Sequence, residues 1–332
     1  MKSLASNVAN PIPRRRWRRL IMGAFSAAIF IVAARMLILE FSALSWDQVV
    51  GKILLWRERS LWAVILCGLS FLTVGVIEWR ALRWAGARIP FGPALSVSFI
   101  ANGFAHSLGA TALVAGAIRA RMYARHHVDV ATAAAATTYQ LATSASGFAA
   151  IFGIAALRGQ GMSGGPARYL GIASLLVLIA YIGACALVHG SVRLFGHRYA
   201  LPSLKDAVAQ LGLGIVDNAL ALSIFWVLIP PRTITYASFA VDYVLAYVGG
   251  ALSGVPGGIG TFETVLARTI TGVSHEDLAA AFLGFRLVFY VLPLLIAGLL
   301  YLLELARERR QSPSVECSPG SAQAQFQAQP NP

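Results

Sequence analysis

Apolar residues fall in long, nearly unbroken runs. One covers Leu20 to about Phe41, and others cover about 60–79, 93–118, 130–156, 169–189, 206–230, 233–254 and 279–303. Each is close to the roughly 20 residues that a helix needs to cross the hydrocarbon of a bilayer. Short polar links join most of them, and the longest, about 42–60, holds no soluble domain. The pattern predicts an all-α polytopic membrane protein with about eight membrane segments. Three regions follow: a basic N-terminus over 1–19, a transmembrane domain over 20–305, and a tail over 306–332. That tail is rich in Ser, Pro, Gln and Ala and is expected to be disordered.

Composition strengthens this reading. The chain has 332 residues, 57% hydrophobic and only 12% charged, against about 25% charged in soluble domains. Net charge is +13. On so apolar a chain, that excess points to cytoplasmic loops facing anionic lipid, and no nucleic-acid partner is expected. The run Arg14-Arg15-Arg16-Trp17-Arg18-Arg19 precedes an apolar stretch too long for a cleaved signal peptide, so it reads as the anchor of a retained first helix. Cys67, Cys185 and Cys317 show no metal or redox spacing.

Two segments depart from simple spans. The first, 93–125, is interrupted by Gly103, Gly109 and Gly116. The second, 235–272, contains Gly249-Gly250 and then Ser253-Gly254-Val255-Pro256-Gly257-Gly258-Ile259-Gly260. Proline and clustered glycine break helices. Backbone unwound at membrane depth must be buried in protein or line a wet cavity. Each segment is expected to be a broken or re-entrant helical hairpin. They also share letters: Val97-Ser98-Phe99 before Gly116-Ala117-Ile118, and Ala237-Ser238-Phe239 before Gly257-Gly258-Ile259. Two repeats are expected, about 20–156 and 169–303.

Charge placement supports that topology. With two re-entrant hairpins and six crossings, 18 basic residues lie inside and six outside, with Arg35, Arg268 and Arg286 at membrane depth. This obeys the positive-inside rule, with both termini cytoplasmic. A full crossing by 93–118 would put Arg119, Arg121 and Arg125 outside. An odd number of crossings per half makes the repeats inverted, as in transporters.

Charges at membrane depth cost roughly 2.5–3.5 kcal/mol each by insertion scales and need a partner or a purpose. Glu263 follows the glycine turn, where a helix start offers free amide donors suited to a phosphate. It can stabilise that start, bind a cationic headgroup or pair with Arg268. Arg119 and Arg121 follow the equivalent turn and suit bidentate phosphate binding or simple anchoring. Asp217 lies mid-helix and wants Arg286 or a polar cavity. Asp242 and Arg35 divide between bundle glue and function. Glu78 is expected to pair with Arg80 at the surface, and His106 to be a satisfied core histidine. No H-E-x-x-H motif, clustered His/Cys set, Walker loop or Rossmann fingerprint occurs in a fitting context, so no metal or cofactor is expected.

The stretch Ser253 to Glu263, with its Pro-Gly-Gly-x-Gly-x-x-Glu core, resembles the signature of the lysylphosphatidylglycerol-synthetase transmembrane, or flippase-like, family. Gly116-Ala117-Ile118-Arg119-Ala120-Arg121-Met122-Tyr123 resembles its first-half block. Val216-Asp217-Asn218 through Ile229-Pro230 resembles its Asp-containing helix, although Asn218 stands where an aromatic often follows. Phe285 to Pro293 resembles its last helix. The resemblance covers about residues 20–305. It implies a bacterial inner-membrane protein that binds or moves lipids. In multi-domain relatives this part is thought to flip aminoacylated phosphatidylglycerol, ahead of a cytoplasmic domain that makes it. Without that domain, this chain is expected to be no enzyme.

The leading expectation is a flippase or transporter of phospholipid or a related envelope lipid with a phosphate headgroup. Arg119 and the backbone of Pro256, Gly257, Gly258 and Gly260 would hold phosphate. Asp217, Glu263 and Arg286 would line the path, with Arg121 beside it. The alternative is a non-transporting membrane partner for a separate cytoplasmic lipid-modifying enzyme. A membrane enzyme using Glu263 or Asp217 as acid or base is a third reading.

Overall fold

The computed structural model describes residue 51 and residues 57–108, 111–158, 164–188, 191–194, 197–230, 234–252, 260–270 and 272–311. The expected first crossing at 20–41, Arg35, Pro256, Gly257, Gly258 and the tail beyond 311 lie outside the described residues. Helices α1 (Arg57–Trp84), α2 (Phe91–Leu108), α3 (Thr111–Tyr123) and α4 (Val130–Arg158) build the first half. Helices α5 (Gly164–Leu187), α6 (Leu204–Leu228), α7 (Tyr236–Leu252), α8 (Thr261–Thr269) and α9 (His275–Arg286) follow. A π-helical turn over Leu287–Val291 joins α9 to α10 (Leu292–Gln311).

Five helical stretches among the described residues are long and apolar enough to cross a membrane: α1, α4, α5, α6 and the continuous helix Glu276–Glu308. Polar side chains start several helices. Ser203 accepts from the Asp206 amide at 3.2 Å and Ser274 from the Asp277 amide at 3.1 Å. Asp129 accepts from the Thr132 amide at 2.9 Å, and hydrogen bonds from Thr132 hold its carboxyl below the usual carboxylate range. The all-α expectation needs one amendment. The link between α5 and α6 contains an antiparallel ribbon, β1 (Ser191–Leu194) with β2 (His197–Ala200), in which Arg193 lies opposite Arg198. Pairing within the link satisfies its backbone groups locally. The last helix also runs past the expected boundary at 305, because Glu304 and Glu308 are held by Arg125 at 2.8 and 3.1 Å.

Both unusual segments break into two helices. In 93–125, α3 packs back on α2, and in 235–272, α8 packs back on α7. The ion pairs show which ends meet. Arg80 reaches Asp206 at 2.9 Å, joining the end of α1 to the start of α6. Arg119 on α3 reaches Glu78 near the end of α1 at 2.8 Å. Arg125, just beyond α3, reaches the end of α10. These basic positions therefore gather at one end of the molecule. A full crossing by 93–118 would have carried Arg119 and Arg125 to the other end.

The contacts Arg80–Asp206 and Ser70–Asp217 run in opposite directions along α1 and α6, so the two helices are antiparallel. Each carries the same four-residue pattern: Gly75-Val76-Ile77-Glu78 and Gly214-Ile215-Val216-Asp217. The first helices of the hairpins also match, as Val97-Ser98-Phe99-Ile100-Ala101-Asn102 and Ala237-Ser238-Phe239-Ala240-Val241-Asp242. Packing is reciprocal. Helix α10, which follows the second hairpin, packs on α2 of the first, and α4, which follows the first hairpin, packs on α7 of the second.

The α4–α6 crossing sets the centre of the bundle. A Cβ on Gly147 would meet the Gly214 carbonyl at 2.2 Å, and one on Gly214 would meet the Thr143 carbonyl oxygen at 2.2 Å. Both obstacles are backbone and cannot turn aside. Asn218 and Gln210 donate across the same crossing to the carbonyls of Ser144 (2.8 Å) and Tyr139 (3.1 Å). Replacing Gly214 with Ala is therefore expected to destabilise the protein by about 1–3 kcal/mol, the usual range for overpacking. Thermal unfolding in detergent measures this, and an unchanged midpoint would contradict the close crossing.

Candidate functional site: a polar cavity between the hairpins

Sequence placed Glu78 at the surface beside Arg80. The structure corrects this. Glu78 is 0% exposed and Arg119 is 1% exposed, and they pair at 2.8 Å. Arg80 instead takes Asp206. The Glu78 carboxylate also accepts from Tyr123 Oη at 2.8 Å and from Gln140 Nε2 at 2.7 Å, while Arg119 donates to the Gln140 carbonyl oxygen. Four side chains from α1, α3 and α4 thus satisfy one another away from water. Arg119 is a bonded part of the wall rather than an open phosphate receptor, because its guanidinium is already engaged. Arg121 lies at the end of the bundle. It donates to Tyr301 Oη, lies 5.2 Å over that ring, and is 4.0 Å from Glu308.

Next to this network is a cavity of about 250 Å³. Both hairpins contribute: Asn102, His106 and Arg119 from the first, Tyr247 from the second. Helix α4 adds Thr137, Gln140 and Ser144, and α6 adds Asp217. Asp217 does not meet Arg286. Its Oδ1 accepts from Ser70 Oγ at 2.7 Å across the α1–α6 contact. His106 also departs from expectation. Its ring lies against Phe71 and Phe289, with centroids 5.9 and 5.3 Å away, but its buried Nδ1 has no hydrogen-bond partner among the described residues.

A second polar pair secures the second hairpin. Gly260 begins α8 with φ of 83°, a backbone conformation that side-chain-bearing residues rarely adopt. Its N–H donates to Glu263 Oε2 at 2.8 Å, the reach-back bond of a capping box. The other carboxylate oxygen accepts from Arg286, with Nη2 at 2.5 Å and Nε at 3.0 Å. Arg268 is exposed and is not the partner. Arg286 is 5% exposed, lies 4.8 Å over the Tyr290 ring, and stands immediately before the π turn. Such turns often occur where a helix is adapted to a functional group. Among the predicted site residues that are described, Arg119 and Asp217 line the same cavity, while Glu263 and Arg286 pair with each other.

Reading the runs alone missed Glu78, Tyr123 and Gln140. The signal for Glu78 was the four-residue match with Gly214–Asp217. For α4 it was Thr137, Gln140 and Ser144 at helical spacing in an otherwise apolar helix.

Fold and cavity together define a polytopic helical membrane protein with a buried polar centre. No family model matches the chain. The chain is similar to inner membrane protein YbhN of Escherichia coli, at 27% identity over 300 residues, covering 87% of this chain and 93% of that protein. It is similar at 28% over 320 residues to an uncharacterized protein of Synechocystis, covering 90% and 97%. A weaker likeness, 22% over 287 residues, joins it to phosphatidylglycerol lysyltransferase of Staphylococcus aureus, covering 83% of this chain but 33% of that protein.

The buried pair gives a stability prediction. Arg119→Ala leaves the Glu78 charge without its partner and is expected to cost about 3–5 kcal/mol. Adding Glu78→Gln removes the orphaned charge and should restore part of the loss. Unfolding of the single and double variants in detergent checks the order, and equal stability of wild type and Arg119→Ala would exclude the pairing.

Proposed function

We propose that this protein is a lipid transporter of the bacterial inner membrane, moving a phosphate-headgroup lipid between leaflets. The observation that carries this reading is the cavity. Its wall sets Asn102, Gln140, Ser144 and Asp217 among apolar side chains, it lies among helices long enough to cross a membrane, and both broken hairpins contribute to it. A lipid headgroup passing through the bilayer needs such a replacement for water.

Three further points support it. The matched patterns on antiparallel α1 and α6 fit halves of opposite orientation, the arrangement in which one half can rock against the other around a central site. The gathered arginines fit a cytoplasmic end, with both termini on that side. The relatives include an inner membrane protein and, over a third of its length, phosphatidylglycerol lysyltransferase. Phosphatidylglycerol or a derivative is therefore the first lipid to try. In this scheme the chain makes no covalent bond. Asp217 and Ser144 offer hydrogen bonds to the headgroup, and the Glu263–Arg286 pair keeps the second hairpin in place while the acyl chains stay in the bilayer.

The test is translocation of acyl-labelled phosphatidylglycerol in vesicles of phosphatidylglycerol and phosphatidylethanolamine, read by quenching from outside. Purified protein should speed the exchange well above protein-free vesicles. Glu263→Gln weakens a charge-assisted bond and is expected to slow exchange about tenfold, equivalent to roughly 1.4 kcal/mol. A rate equal to that of protein-free vesicles sinks the transporter reading and favours a membrane partner for another enzyme.

A further inference from the structure

The two matched acids are treated differently. Glu78 is locked to Arg119, Tyr123 and Gln140. Asp217, at the same place in its own pattern, receives a hydrogen bond from Ser70 and forms no ion pair with any lysine or arginine among the described residues. It faces the cavity.

Helix α1 presents Ser70, with Glu78 roughly 12 Å of helix rise further along and neutralised. The first hairpin presents His106 and Arg119 across the cavity, and that guanidinium is held by Glu78. Helix α4 presents the neutral Gln140 and Ser144. Helix α5 packs on α6 through Tyr181, which is bonded to Gln210. Helix α7 brings the buried phenols Tyr243 and Tyr247 and also carries the buried acid Asp242. Helix α9 packs on α6 as well; its Arg286, which precedes Tyr290, is held by Glu263. The charges of Glu78, Arg119, Glu263 and Arg286 are thus matched in two pairs, and no such pair holds the Asp217 carboxylate among the described residues.

A carboxylate at membrane depth requires a counter-charge or a proton. A hard metal ion takes about six oxygen ligands, whereas Ser70 supplies the one hydroxyl bonded to Asp217 among the described residues. A proton needs no more than that. The Ser70 hydroxyl can donate to the carboxylate and can accept from the acid.

We propose that Asp217 is a proton site, loaded and unloaded through the cavity as the bundle changes which side it opens to. Loading forms an O–H bond on the carboxylate with a proton from one aqueous phase, and unloading returns that proton to the other. No electron moves and no other bond changes. Coupling of this proton to lipid movement rests on the transporter reading, but proton binding itself does not.

Two measurements separate them. The first is infrared difference spectroscopy of the whole protein in phosphatidylglycerol–phosphatidylethanolamine vesicles, titrated from about pH 4 to about pH 9. A protonated-carboxyl band should appear that Asp217→Asn, close to the same shape, lacks. Ser70→Ala keeps the acid and should move the band in frequency and midpoint. The absence of any such band from the wild type, or its survival unchanged in both variants, overturns the proton site whatever the transport result. The second measurement is labelled-lipid exchange with and without an imposed pH gradient. A gradient-dependent wild-type rate made gradient-independent by Asp217→Asn supports coupling. A wild-type rate indifferent to the gradient overturns coupling while leaving the transporter reading intact. No exchange in either condition sinks the transporter reading, and the infrared result then decides proton binding alone. Dependence on Na⁺ in place of the pH gradient also overturns coupling.

Discussion

A charge inside an apolar bundle must find its opposite there or change its protonation. Water is not close enough to serve. Much of this structure follows from that constraint. Glu78 and Arg119 are almost completely inaccessible, and their pairing ties α3 to α1. Glu263 and Arg286 likewise tie α8 to the end of α9. Neither pair proves high stability, since desolvation offsets much of the attraction. What the pairs do is penalise other arrangements. A hairpin placed elsewhere would leave a lone charge in a poor solvent.

Backbone imposes a parallel constraint. A chain that unwinds at membrane depth must have its freed groups satisfied within the protein. At Gly260 the answer is visible: the amide that opens α8 is taken by the Glu263 carboxylate, which also receives Arg286. One side chain thus secures a helix start and an ion pair. Because α2, α3, α7 and α8 are short, the long helices close around them and polar side chains from both halves face one another across a cavity. The direct packing of α6 on α1 brings Asp217 close enough to take Ser70.

Much of the architecture was legible in the chain. Apolar run lengths gave the helices α1, α4, α5 and α6 to within a few residues, because length and hydropathy are what a bilayer selects. The glycine pattern marked the breaks only in part: Gly109 and the run from Gly254 to Gly260 fall between the hairpin helices, whereas Gly103 and Gly116 lie within α2 and α3 and Gly249 and Gly250 within α7. The distribution of arginines required the first hairpin to turn back, and the ion pairs of Arg119 and Arg125 show that it does. Glu263 as a helix-start residue was legible too, since that role depends on four consecutive positions.

The partners were another matter. Sequence joined Glu78 to Arg80, offered Arg268 to Glu263, and gave Asp217 either Arg286 or a polar cavity, each by nearness or plausible charge. The structure joins Glu78 to Arg119, Arg80 to Asp206, and Glu263 to Arg286. It leaves Asp217 to Ser70 and the cavity. Along the chain, helical rise fixes which residues share a face, so elements, breaks and caps are written locally. Which faces meet depends on how separate helices cross and rotate, and that is set by packing between residues far apart in sequence. The sequence determined that charges would be buried in this bundle. Only the tertiary structure decided which of them are neutralised and which carboxylate is left facing the cavity.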